Sequence, residues 1–178
     1  KINNEFVPTC NDCVCGALGG VFCRRKKDIF MKISDNGRNL LIVNEGKKLT
    51  PYPCSRGVPT IGIGCTTYQD GRKVTLKDRP ITEKECTDLF NHHIAHAEKW
   101  LNNNCKWTNQ NQYDALCSFL HQYHIEKYPN TKKAFISGNL PEIRRILTND
   151  FNHADVSKRD GTLKARRQRE LTLFNKVA

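Results

Sequence analysis

Glu45-Gly46-Lys47-Lys48-Leu49-Thr50-Pro51-Tyr52-Pro53-Cys54, followed after a short turn by Thr60-Ile61-Gly62-Ile63-Gly64, is the stretch whose reading decides the fold. Upstream of it, Leu40, Leu41 and Val43 recur with helical period and run out on one acid, Glu45. A segment with strand character then reaches the thiol of Cys54. Ser55-Arg56-Gly57 supplies a turn, and a Gly-rich strand returns carrying the hydroxyl of Thr60. The pattern predicts a helix feeding a hairpin, which brings a carboxyl, a thiol and a hydroxyl from three neighbouring elements to a common site.

Working outward, Ser34 and Asp35 are N-cap candidates for a helix running to Asn44. The hairpin strands fall near 49–54 and 59–65, and Lys73-Val74-Thr75 reads as a third strand after the Asp70-Gly71 turn. Thr82-x-x-Glu85 is a capping box, in which hydroxyl and carboxyl satisfy backbone donors of the first turn. It opens a long helix to about Asn103, with Cys86, Phe90, Ile94, Ala97 and Leu101 on one face. A further helix from Thr108 or Asn109 turns Ala115, Leu116, Phe119 and Leu120 inward, and Pro141 suits the first turn of another, reaching about Asn149. The last helix is expected to carry Leu163, Leu171 and Phe174 inward and Arg166, Arg167 and Arg169 towards solvent. Strands first and helices after predict an α+β chain: a small β-hairpin lobe joined by a long helix to a larger helical lobe. Residues 1–27 read as a cysteine-rich N-terminal extension ending in Arg24-Arg25-Lys26-Lys27, and 28–178 as the main domain.

The 178 residues are enough for a real core, and 38% hydrophobic with 26% charged content describes an ordinary globule. The longest uncharged N-terminal stretch, Cys13 to Cys23, is far short of the roughly 20 residues of a spanning helix, so stable membrane insertion is not expected. No signal peptide is visible, and a start at Lys1 suits a chain whose leader has gone. The net charge of +11 favours polyanions: nucleic acid, anionic lipid, or an anionic cell envelope. Nine cysteines, at 10, 13, 15, 23, 54, 65, 86, 105 and 117, point to an oxidising compartment with up to four disulfides and one thiol left over. The rival reading is a four-thiolate zinc site from Cys10, Cys13, Cys15 and Cys23, though the spacing is irregular for one.

From Ser34 to Phe174 the chain resembles the phage-type lysozymes (endolysins, glycoside hydrolase family 24). The resemblance rests on four segments in order. They are the Glu-Gly, Pro-Tyr and Thr-Ile-Gly-Ile-Gly cleft; Ile81-Thr82-x4-Asp88-Leu89-Phe90; Asn109-Gln110-Asn111-Gln112-Tyr113-Asp114-Ala115-Leu116-x-Ser118-Phe119; and Gly161-x-Leu163-x2-Arg166-Arg167-x2-Glu170-Leu171. The resemblance implies a lysozyme-like fold and cofactor-free, metal-free hydrolysis of bacterial peptidoglycan at the β-1,4 bond between N-acetylmuramic acid and N-acetylglucosamine. It favours the inverting course, and implies a monomer secreted or delivered to the periplasm or wall. By position Glu45 carries over as general acid and Thr60 as the hydroxyl that helps hold water. At a helix C-terminus and partly buried, Glu45 is expected to have a raised pKa. Cys54 stands where most members carry aspartate; a thiol acts as base only when ionised, the Glu45 carboxylate opposing that and Arg56 favouring it. In cysteine-bearing members that thiol can be locked in a disulfide and released by exchange, for which the N-terminal cysteines are available. Cys65 replaces the family's usual histidine. Gln122 matches a substrate-contacting amide of the T-even enzymes, but His121, Tyr123 and His124 depart from the usual Phe-Asn-x-Gly pattern.

Rival functions are a non-catalytic wall-binding protein, with Cys54 an ordinary half-cystine, and a nucleic-acid binder. The arginines of 164–169 lack an aromatic stacking platform, which argues against the latter. His92 and His96 lie one turn apart, a zinc-capable spacing, but no third ligand follows at a recognised interval. Tyr52 is expected to brace the hairpin.

Overall fold

Ser34 opens helix α1 (Asp35–Glu45): its hydroxyl accepts from Gly37 N and also bonds the buried Asp114 carboxylate. Gly46, at φ 78°, closes the helix and donates to Ile42 O at 2.8 Å, so the chain leaves Glu45 in a conformation that favours glycine. These details come from a computed structural model that describes residues 30–54, 56–150 and 160–176. The chain divides into two compact units, Lys1–Phe30 and Met31–Ala178. The expected extension and its four cysteines lie outside the described residues.

Strands β1 (Lys48–Pro53) and β2 (Pro59–Gly62) form an antiparallel hairpin pairing Lys48 with Gly62, Tyr52 with Thr60 and Pro53 with Pro59, with an irregularity between Lys48 and Tyr52. The return strand is shorter than expected because the chain folds back on itself, Ile61 bridging Cys65. The expected third strand at 73–75 is reduced to a single bridge, Thr67 to Lys73. Asp78 explains this: its carboxylate takes the Thr75 backbone N–H, the Thr75 hydroxyl and the Tyr68 hydroxyl, holding the segment as a turn.

Helix α2 (Glu83–Asn104) starts from the full Thr82–Glu85 capping box and spans about 33 Å at 1.5 Å per residue, enough to link two lobes. Its first half packs on the hairpin, Cys86 and Leu89 lying beside Gly62; its second half packs on α3 (Gln110–Gln122), capped by Asn109 with Gln112, where Asn102 Nδ2 donates to the Tyr113 hydroxyl at 3.0 Å. Residues 113–120 of α3 are all buried, as in a helix surrounded on every side. Helices α1, α2 and α6 (Asp160–Phe174) pack around it. Helix α4 (Pro129–Ser137), which the hydrophobic spacing does not announce, buries Thr131, Ala134 and Phe135. The helix expected from Pro141 starts one residue earlier, as α5 (Leu140–Arg145), and passes into a π turn at Ile146–Asp150. No described helix is long and apolar enough to cross a membrane.

One expectation for α6 is overturned. Arg166 and Arg167 do not face solvent: they are 6% and 1% exposed, because Glu170, 0% exposed, supplies a buried counter-charge on the same helix.

Candidate active site

Glu45 projects from the C-terminal end of α1, where Gly64 comes close enough that a Cβ there would stand 3.0 Å from both Glu45 Cβ and Glu45 Oε2. Gly64 has φ 68°, so the approach and the backbone conformation both require glycine. Tyr52 braces the arrangement as expected, its hydroxyl 3.5 Å from Glu45 O. Across the hairpin Tyr52 is paired with Thr60, which ties the helix end to the return strand.

Cys54 follows β1 directly. Its backbone N–H and the Thr60 hydroxyl both donate to Val58 O, each at 2.9 Å, so thiol and hydroxyl are held by one carbonyl. The Arg56 backbone N–H reaches Cys54 Sγ at 3.4 Å. That N–H holds the thiol below its ordinary range, with lesser help from Thr60 and only a minor contribution from the Arg56 guanidinium. Cys54, Cys65, Cys86, Cys105 and Cys117 are all free thiols. Among the described residues no disulfide joins any two of these five. Cys65 is buried, its thiol pushed up to about 12 by burial, which makes it a core residue rather than a stand-in for a titrating histidine.

The expectation for Glu45 is reversed. Burial pushes its carboxyl up, but the His121 ring and the Arg166 guanidinium together outweigh burial and bring it down to about 2. Arg166 Nη1 lies 2.5 Å from Glu45 Oε1, and His121 Nδ1 lies 3.5 Å from the same oxygen, with no better partner among the described residues. In the free protein Glu45 is thus a carboxylate in a largely buried ion pair. Sequence reasoning missed both partners, which lie 121 and 76 positions away.

Behind the ion pair is a balanced cluster. Glu170 Oε1 accepts from Ser118 Oγ at 2.7 Å, Arg167 Nη2 at 3.1 Å and Arg166 Nε at 3.2 Å, while Glu170 Oε2 pairs with Arg167 Nη1 at 2.8 Å. Two carboxylates and two guanidiniums offset one another, the condition under which charges survive burial. Arg167 Nη2 also donates to Gln122 Oε1 at 2.7 Å. Glu45, Cys54 and Thr60 are thus joined through the hairpin, and Gln122 is joined to Glu45 through Arg167, Glu170 and Arg166. Gln122 lines a cavity of about 430 Å³ with Gly64, Thr66, His121 and His124. His96 is not set up as a ligand: its two ring nitrogens lie 2.7 and 3.2 Å from the carbonyls of His93 and Leu120.

Residues 43–170 match the phage lysozyme family. The endolysin of Salmonella phage P22 is 34% identical over 152 residues, covering 81% of this chain and 98% of the relative. A crystal structure of a P22 lysozyme variant matches with TM-score 0.66 and 30% identity over 82% of this chain and 99% of that one. The endolysin of Escherichia coli O157:H7 phage FAHEc1 matches with TM-score 0.70 and 26% identity over 82% of this chain and 94% of that one. With the hairpin, the linking helix and the helical lobe all in their expected order, the chain belongs to the phage lysozyme family.

Proposed function

We propose that this lysozyme, a peptidoglycan muramidase, cuts the β-1,4 bond between N-acetylmuramic acid and N-acetylglucosamine with Glu45 protonating the leaving oxygen. Cys54 and Thr60 place the attacking water. The reading rests on one observation above all: Glu45, Tyr52, Thr60, Val58 and Cys54 form a single hydrogen-bonded frame around the cleft end of α1. An inverting course needs room for that water between acid and base, a separation of about 6.5–9.5 Å between the groups.

An acid at about 2 carries almost no proton near neutrality, so the free protein is a resting state. Saccharide filling the cleft increases the burial that already pushes Glu45 up. Its polar groups compete for His121 and Arg166, the two groups that hold Glu45 down. Protonation of Glu45 is thereby coupled to substrate occupancy. On the opposite side, the Arg56 N–H favours the Cys54 thiolate, the form that can act as base.

We take the protein to be a monomer without cofactor. It acts at the wall from outside the inner membrane, its +11 charge serving attachment to anionic wall polymers rather than to nucleic acid. Residues 28–178 form the catalytic domain and 1–27 an extension. Purified peptidoglycan, digested and reduced with borohydride, tests the chemistry. New muramitol ends are expected; glucosaminitol ends, or new amino groups without new reducing ends, overturn the reading.

A further inference from the structure

Gln122 ends α3 at the cleft, and its carboxamide is not free to turn. Arg167 Nη2 lies 2.7 Å from Gln122 Oε1. A guanidinium only donates, so the amide oxygen must face Arg167 and the –NH2 must face away from it. The oxygen and nitrogen of a glutamine are ordinarily assigned by choice; here the partner dictates them. Arg167 is itself locked. It is 1% exposed, paired with Glu170, and its guanidinium carbon lies 4.9 Å from the Phe119 ring centre and 5.3 Å from that of Tyr123. The charge is held on three sides and the fork is left one aim. The cavity that Gln122 lines contains imidazoles and hydroxyls but no carboxylate side chain, so nothing in it competes as a strong acceptor for the amide donor.

The geometry points to Arg167 as a positioning residue that presents the Gln122 –NH2 to the cleft as a fixed donor, making this subsite selective for a carbonyl or carboxylate oxygen of the substrate. The inference rests on the muramidase reading for the identity of that substrate. Such oxygens are supplied both by the N-acetylated, lactyl-bearing sugar and by the stem peptide. A rotatable amide serves donors and acceptors alike, whereas a pinned one discriminates between them, because a donor group placed opposite it leaves two buried donors facing each other.

Gln122→Glu is the diagnostic variant. It keeps the size of the side chain and an oxygen for Arg167, and it exchanges the cleft-facing donor for an acceptor. On soluble, uncrosslinked glycan strands KM should rise about tenfold, the equivalent of one lost hydrogen bond, with kcat changing far less. Arg167→Lys keeps the charge that Glu170 needs but loses the fork, so it should also raise KM. That rise should vanish in a Gln122→Ala background, since Arg167 acts through Gln122. Strands stripped of peptide by an amidase identify the source. A Gln122→Glu penalty retained on them assigns the acceptor to the sugar, and a penalty lost on them assigns it to the peptide. A native KM for Gln122→Glu, or an Arg167→Lys penalty undiminished without Gln122, overturns the proposal. If Arg167→Lys does not fold, Gln122→Glu alone decides. If the wild-type protein releases no reducing ends, the muramidase reading falls. The dissociation constant of the uncut strands then decides the positioning role with the same variants.

Discussion

Replacing Glu45 by glutamine should change stability in a pH-dependent way, and the size follows from the ion pair. The Glu45 carboxyl is ordinarily at 4.5 and is held at about 2 in the folded protein, a gap of about 2.5. At 1.36 kcal/mol per unit this corresponds to about 3 kcal/mol of folding free energy. Its side chain is 24% exposed, so solvent screening removes only part of that, and about 2–3 kcal/mol is the working figure. Because the folded value is depressed, the contribution is fully present above about 4.5 and is lost as pH falls towards 2. Glutamine has no such dependence. Urea unfolding of wild type and Glu45→Gln at pH 7, 5, 3.5 and 2.5 should therefore show the wild type losing about 2–3 kcal/mol relative to the variant across the series. At neutral pH the same difference is about 4–12 °C in melting temperature for a chain of this size. Parallel pH profiles, or an advantage for the wild type that grows in acid, would refute the ion-pair reasoning.

Other outcomes follow from the same geometry. Cys54→Asp should retain activity and extend it to lower pH, since a carboxylate is ionised well below neutrality, whereas Cys54→Ala should be impaired; turnover against pH on purified peptidoglycan checks both. Gly64→Ala should destabilise the protein by about 1–2 kcal/mol through its left-handed φ, and it should also depress activity, because the new methyl stands 3.0 Å from Glu45. Calorimetry with a parallel activity assay separates the two effects. Thr82→Ala removes one half of the capping box of α2 and should lower stability by about 1 kcal/mol with kcat unchanged, measured by urea melts and turnover.

The helix end, the hairpin and three of the four side-chain-capped helix starts among the described residues were legible because each is written in adjacent residues: Ser34 at α1, Thr82 with Glu85 at α2, and Asn109 at α3. Helix α4 was legible in principle from its ends, Pro129 at the first turn and Gly138 at φ 65°, but its three buried residues are too few to announce a face. The orientation of Arg166 and Arg167 was not legible. Arginine in a helix is usually solvated, and only the approach of α1 and α3 turns this pair inward onto Glu170, Glu45 and Gln122. The same long-range contacts reversed the expected direction for Glu45. Burial and a helix terminus, the two influences visible locally, both raise it, while the two that lower it come from α3 and α6.

The most direct test of the account is the release of reducing ends from purified peptidoglycan by Glu45→Gln beside the wild type, at a pH where both are folded. Removing the donated proton should lower the rate by at least about 100-fold. A variant working within a few-fold of the wild-type rate would contradict the assignment of Glu45 as the acid.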